Sequence, residues 1–290
     1  MNITVFGGSG FLGSHVADQL SANKHKVSIF DRTKSIWIKK NQNFILGNIL
    51  DKNKVDKAVK GSKYIYIYAG IADLDECFDK PFETAESNIL GLINILNACV
   101  KYKVKRIIYA STVYVNSKEG GFYRCSKKAA EDFIKEYKKL FNLEYTILRY
   151  GSLYGPRADK NNGMLNILKG AIKSKQISYQ GDPEAQREYI HVYDAANASI
   201  LPVEGKFKNE SIILTGHESL KMPDLLKTIK EILNLKKPII FKKLKYKGHY
   251  IRTPYEYTSD VGKKYIPSLH VDIGQGILDL IHEIKNDKTN

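Results

Sequence analysis

The chain has 290 residues, 43% hydrophobic and 27% charged, with a formal net charge of +15 at pH 7 and 3 cysteines. Such a length buries a substantial core as one large or two unequal domains, and no apolar run approaches the ~20 residues that span a bilayer. The scattered Cys77, Cys99 and Cys125 argue against a disulfide framework or a metal cluster, and the lysines are spread along the whole chain with no zinc-finger spacing or RNA-binding aromatic motif, so the charge reads as solvated surface rather than a nucleic-acid site.

Asn2–Phe6 reads as a buried parallel strand. Its position at the start of the chain leaves no room for a secretory leader and predicts a cytoplasmic protein. It runs straight into Gly7-Gly8-Ser9-Gly10-Phe11-Leu12-Gly13, and a helical pattern follows over 11–22. Strand, glycine turn and helix start are what a dinucleotide pyrophosphate needs: the glycines let backbone approach closely, and the helix N-terminus offers free N–H groups and a positive dipole end. The next strand, 26–31, ends at Asp31. A carboxylate ~20 residues past the turn accepts both adenosine ribose hydroxyls and repels a 2′-phosphate, which predicts NAD rather than NADP. Arg32 alone stands close enough in sequence to soften that choice.

Strands are predicted over 43–47, 63–69, 105–111 and 144–149, and helices over 51–60, 84–102 and 122–141. The alternation predicts an α/β fold with a Rossmann-type doubly wound parallel sheet, covered on both faces. Tyr123 and Lys127 stand one helical turn apart, so they share a face, shortly after the strand ending in Ser111-Thr112. A tyrosine ionises near pH ~10 in water; a nearby ammonium favours the phenolate and lowers that value. A strand-end hydroxyl can hold substrate and phenolate oxygens in line. Alone, Y-x-x-x-K also fits a half-exposed helix face, and the glycine turn supplies its context. Cys125, inside the motif beside Arg124, reads as an inert helix residue.

After Arg149 the pattern loosens. Gly151, Gly155-Pro156 and Gly163 mark loops, then a helix is predicted over 165–173, a strand over 211–214, a helix over 222–233 and a terminal helix over 272–284. The predicted organisation is a dinucleotide-binding domain over 1–155 and a smaller α/β C-terminal substrate lobe over 156–290, woven onto the core.

Taken together these motifs resemble the extended short-chain dehydrogenases/reductases of the nucleotide-sugar epimerase/dehydratase group, over residues 2–285. The resemblance implies that Gly7, Gly10, Phe11, Leu12 and Gly13 hold the pyrophosphate and that Asp31 and Arg32 meet the adenosine ribose. Gly47-Asn48-Ile49-Leu50-Asp51 resembles G-D-[IL]-x-D beside the adenine, with Asn48 where Asp is usual and Ile49 next to it. Ala69, Gly70 and Ala72 match the small-residue strand end near the nicotinamide, and Asn88-Ile-Leu-Gly91 matches an N-x-x-G helix start whose Asn88 braces the site. Tyr150 is placed with the cofactor set. Thr112 becomes the catalytic hydroxyl, with Ser111 as fallback because the loop from Thr112 to Tyr123 is shorter than usual. Tyr123 becomes the acid–base group and Lys127 its electrostatic partner and a ribose ligand.

Arg149 to Arg157 resembles R-x-x-N-x-Y-G-P-R, with Ser152 replacing an asparagine that touches substrate. Gln186 to Asp194 resembles Q-x-R-D-F-I-H-V-D-D, whose arginine reaches the diphosphate or base. A diphosphate suits arginine's fork, so Arg157, Arg187 and Arg252 are the candidate ligands; the alternative for each is a surface ion pair. His191 reads as a hydrogen-bonded structural residue and Asp194 as a helix cap.

The resemblance implies proton removal from a sugar hydroxyl by Tyr123 while hydride leaves the same carbon for NAD. Dehydratases of the group carry Asp-Glu after the Thr; here Val113-Tyr114 follow. Two outcomes stay open: epimerisation through a transient keto sugar, or its release by a dehydrogenase, which in reverse is a reductase. The expected ligand is a nucleotide-diphosphate sugar, UDP first, with dTDP and GDP as alternatives. No metal, nucleic-acid or membrane partner is expected. A homodimer is expected through helices 84–102 and 122–141, the first of which carries Ile89, Leu92, Ile93, Leu96 and Cys99.

Overall fold

Near-continuous apolar runs in this chain become strands buried on both faces, as a parallel sheet requires: four residues of β1 (Asn2–Phe6) are buried. The computed structural model describes residues 1–242, 250–251, 263–265 and 270–286. After β1 come α1 (Phe11–Ala22), β2 (Lys26–Asp31), β3 (Gln42–Leu46), α2 (Lys52–Val59) and the fully buried β4 (Tyr64–Ile67). Next are α3 (Leu74–Asp79), α4 (Pro81–Ala85), α5 (Gly91–Lys101), β5 (Arg106–Thr112), α6 (Gly121–Phe141) and β6 (Glu144–Tyr150). The remainder comprises β7 (Ser152–Tyr154), α7 (Gly163–Ser174), β8 (Ser178–Gln180), β9 (Gln186–His191), α8 (Val192–Ile200) and β10 (Glu210–Leu214), then β11 (Ser219–Lys221), α9 (Met222–Ile232), β12 (Ile240–Lys242), β13 (Lys263–Lys264) and α10 (Ile273–Asn286).

The main sheet has the order β13-β10-β6-β5-β4-β1-β2-β3, with every pairing parallel. From β1 the chain runs outward through β2 and β3, then returns to β4 on the other side. That reversal is the topological switch point, and its crevice lies beyond the carboxyl ends of the strands. One face is covered by α1 and α8, whose Val16, Leu20, Ala195 and Ala196 pack on Val5, Ile29 and Tyr66. The other is covered by α2, α5 and α6 through Val55, Ile95, Leu96, Ala130 and Ile134.

Beyond residue 155 the chain divides its loyalty. α7, α9 and α10 build a separate core around Leu168, Leu226, Ile229, Ile277 and Leu280. α8, β10 and β13 return to the main sheet and its cover. The short β7, β9 and β11 form a three-stranded sheet between these regions.

Two local readings of the sequence are corrected. The stretch expected as one helix over 84–102 is α4, a π-helical turn at Glu86–Leu90, and α5. Asp194 is no cap: His191 occupies the N-cap of α8, and Asp194, inside the first turn, accepts the Val271 N–H at 2.8 Å.

Candidate active site

The glycine turn leaves no room for side chains. Gly7 has φ +79°, and a Cβ there would lie 2.4 Å from the Ala69 nitrogen. At Gly13 a Cβ would lie 2.2 Å from the Gly7 carbonyl oxygen, so helix and turn pack backbone to backbone. Gly10 is the N-cap of α1, with no side-chain cap and no acidic residue in the first turn. Its N-terminal N–H groups are therefore available to an anion. Asp31, at the end of β2, accepts the Ser9 N–H at 3.0 Å, which holds a carboxylate beside the turn. The cradle, the bare helix terminus and the acidic strand end fit the adenosine diphosphate half of NAD.

Asn48 is exposed and its Oδ1 accepts the Leu50 N–H at 3.0 Å. Ile49 is buried against Gly91, where a Cβ would come within 2.5 Å of its Cδ1. Asn88 sits in the π-helical turn, a distortion common at functional sites. Its Oδ1 accepts the Ile71 N–H at 2.8 Å, and its Nδ2 donates to Ile71 O and Ser126 Oγ, both at 2.9 Å. One buried amide thus ties the strand end at Gly70 to α6.

α6 carries Tyr123 and Lys127 to the carboxyl end of β5. Thr112 is 5% exposed and its hydroxyl hydrogen-bonds the Tyr123 phenol. Lys127 Nζ donates to Ala110 O at 2.8 Å and lies 5.9 Å from the centroid of the Tyr123 ring. Burial lowers the Lys127 ammonium to about 8. The expected lowering of Tyr123 is reversed in the protein alone. Burial pushes its phenol up to about 12, outweighing the Thr112 hydrogen bond.

Ser111, the fallback hydroxyl, is corrected. Alternation along β5 turns it away from Thr112, and its Oγ donates to Glu131 Oε1 at 2.5 Å. Glu131 also accepts Arg149 Nε at 3.0 Å and Nη2 at 2.7 Å. This buried Ser–Glu–Arg network locks α6 against β5 and β6 directly beneath Tyr123 and Lys127. The sequence reading missed it, although Glu131 one turn after Lys127 on the same helix face was a legible signal.

A cleft of about 1630 Å³ opens at these strand ends, lined by Phe11, Arg32, Gly70, Thr112, Tyr123 and Arg187, together with Ala72, Tyr150 and Ser152. Arg187 stacks its guanidinium 4.4 Å over the Tyr250 ring. Tyr250 lies 4.7 Å from Tyr114, which is 6.1 Å from Tyr123. This aromatic wall joins the cationic end of the cleft to the Tyr–Lys end, and neither Tyr114 nor Tyr250 was predicted. Arg157 is corrected: it stands off the cleft, with φ +65°, Nη2 2.8 Å from Asp18 Oδ2 and its guanidinium 4.9 Å over Trp37. Its N–H donates to Glu283 at 2.9 Å, so it fastens α10 to α1. Arg252 lies outside the described residues. His191 accepts the Tyr193 N–H at 3.4 Å through Nδ1, while its buried Nε2 has no hydrogen-bond partner. Among the described residues no group of His, Cys, Asp and Glu is arranged to hold a metal, and no helix is long and apolar enough to cross a membrane.

A glycine cradle at the switch point of a doubly wound sheet, with Thr112 and Tyr123 in the cleft wall and Lys127 buried behind the tyrosine, defines a site of the short-chain dehydrogenase/reductase type. The chain belongs to the NAD dependent epimerase/dehydratase family, whose profile matches residues 3–213. It is 27% identical to a Methanocaldococcus jannaschii protein provisionally named UDP-glucose 4-epimerase, over 98% of this chain and 99% of that one. It is also 27% identical to a UDP-N-acetyl-alpha-D-glucosaminuronate decarboxylase of Bacillus cytotoxicus, over 93% and 88%. The crystal structure of the Thermotoga maritima UDP-glucose 4-epimerase with UDP-glucose superposes with a TM-score of 0.88 at 25% identity, covering 99% of this chain and 100% of that one.

Proposed function

We propose that this protein is an NAD-dependent epimerase of nucleotide-diphosphate sugars, with UDP-sugars as its first substrates. The observation that carries the reading is the meeting of Thr112 and Tyr123 in the wall of a cleft that also holds Arg187, with the buried Lys127 ammonium behind Tyr123. Gly7, Gly10, Leu12 and Gly13 cradle the pyrophosphate of NAD, Asp31 and Arg32 face its ribose, and Asn48 and Ile49 border its adenine. Ala69, Gly70, Ala72, Asn88 and Tyr150 border its nicotinamide half. Bound NAD supplies a hydride acceptor that can also return the hydride. Tyr123 takes the proton of the sugar hydroxyl and later gives it back, Thr112 holds that oxygen, and the Lys127 ammonium stabilises the phenolate. Arg187 and Ser152 position the diphosphate and sugar.

Val113, 1% exposed, packs into a small core with Ile213 and Tyr250. The two positions after Thr112 therefore supply no carboxyl pair for water elimination, which favours epimerisation. The test is incubation with UDP-, dTDP- and GDP-sugars, followed by chromatography and absorbance of reduced nicotinamide. The expected result is an epimer with no stoichiometric NADH; a keto sugar with equimolar NADH overturns the reading in favour of a dehydrogenase.

The same reading includes a cytoplasmic homodimer. α5 and α6 are joined by a Tyr137–Asn97 hydrogen bond of 2.7 Å, and Leu90 and Phe133 beside them remain 52% and 40% exposed. Light scattering at micromolar concentration tests it, and a monomer there overturns it.

A further inference from the structure

In a doubly wound sheet all strands start at one edge, opposite the cleft. Three helix-to-strand turns meet that edge side by side, and each carries two exposed lysines: Lys24 and Lys26, Lys60 and Lys63, Lys103 and Lys105. The backbone fixes their register. Lys26 pairs with Asn2, Lys63 N–H donates to Asn2 O at 2.9 Å, and Lys105 N–H donates to Lys63 O at 3.0 Å. Lys26, Lys63 and Lys105 thus stand in one row across four neighbouring strands, Lys63 and Lys105 on adjacent strands ~4.8 Å apart.

Lys24, Lys60 and Lys103 follow helix C-termini, where the dipole favours a cation. Lys26, Lys63 and Lys105 gain nothing from that, and like charges side by side on neighbouring strands are unfavourable. Among the described residues none of the six forms an ion pair with a carboxylate. Within the fold the only ring or ion-pair contact of these ammonium groups among the described residues is that of Lys105 Nζ, 5.7 Å over the Tyr64 ring. Next to the row, the end of α6 delivers the chain to β6 and leaves Leu140 and Phe141 68% and 53% exposed.

We propose that this amino edge of the sheet is a docking surface for an anionic phospholipid bilayer. Phosphate headgroups meet the lysine row, and Leu140 and Phe141 dip into the interface. The row offers no exposed ring for stacking bases: Tyr64 is 2% exposed and Tyr102 is half-buried under Lys101. That favours lipid over single-stranded nucleic acid. Docking there leaves the cleft, on the opposite edge, open to soluble substrate. The lysines are spread through the sequence, and only the parallel topology brings these six together.

The test is co-sedimentation of the full chain with vesicles of about 30% phosphatidylglycerol in phosphatidylcholine at two salt concentrations. Lys26→Gln/Lys63→Gln/Lys105→Gln is compared with Lys169→Gln/Lys173→Gln/Lys227→Gln, which removes the same charge from α7 and α9. The row variant is expected to lose binding on the order of 100-fold and the control under about 3-fold. Lys24→Gln/Lys60→Gln/Lys103→Gln serves as a second row variant should the first fail to fold. Equal losses in row and control variants would mean diffuse charge and overturn the proposal, as would no binding by the parent. Tighter binding to a random RNA duplex, abolished by the same substitutions, also overturns it.

Discussion

Arg149→Met isolates the buried network beneath the Tyr–Lys pair. The Arg149 and Glu131 side chains are 7% and 3% exposed. The substitution removes both guanidinium hydrogen bonds, at 3.0 and 2.7 Å, and leaves the carboxylate with the Ser111 hydroxyl. Breaking one partner of a buried pair costs about 3–5 kcal/mol, because a charge stays buried and uncompensated. At roughly 2–4 °C per kcal/mol for a chain of this size class, the midpoint of thermal unfolding falls by roughly 6–20 °C. Adding Glu131→Leu removes the stranded charge, and apolar replacement of a whole pair is often neutral. The double variant should therefore recover most of the loss. Thermal denaturation followed by circular dichroism at neutral pH reads both. A single variant within about 1 kcal/mol of the parent, or a double variant no better than the single, would refute this account of the network.

Three further predictions concern the cofactor, the chemistry and acid stability. On the proposed placement of Asp31 at the adenosine ribose, NAD should bind at least ~100-fold more tightly than NADP, and Asp31→Asn should narrow the gap; equal affinities in a fluorescence titration would refute it. Tyr123→Phe should lower turnover at least ~100-fold with NAD binding nearly intact, whereas Lys127→Ala should weaken both; a Tyr123→Phe enzyme within a few-fold of the parent rules the mechanism out. Burial lowers His15 and His191 to about 4. Below pH ~6.5 the unfolded chain takes up protons that the folded chain refuses, so stability falls as pH drops from ~6.5 towards 4, by up to about 3 kcal/mol per histidine. Melting curves across that range should shift downwards, and His15→Gln/His191→Gln should flatten the trend; a flat parental profile contradicts it.

The strand, glycine turn, helix and acidic strand end that frame the proposed cofactor site were legible in the sequence because their determinants are local. Gly7 to Gly13 and Asp31 lie on one strand–turn–helix–strand unit, where spacing alone sets geometry. Tyr123 and Lys127 share a helix face for the same reason. Contacts between distant segments were not legible. Strand alternation sent Ser111 to Glu131 and Arg149, and that partner choice depends on how α6 lies across β5 and β6. Arg157 met Asp18, 139 positions away, because α10 and α1 converge where the lobe joins the core. Tyr114 and Tyr250 meet Arg187 through contacts between residues far apart in sequence, which no local pattern encodes. The short β7, β9 and β11 carry too few residues for a periodic pattern, and the π-helical turn at Asn88 follows from contacts to Ile71 and Ser126 rather than from propensity. Composition fixed the net charge, but where that charge gathers was decided by topology: parallel strands place all their starts on one edge, and with them Lys26, Lys63 and Lys105.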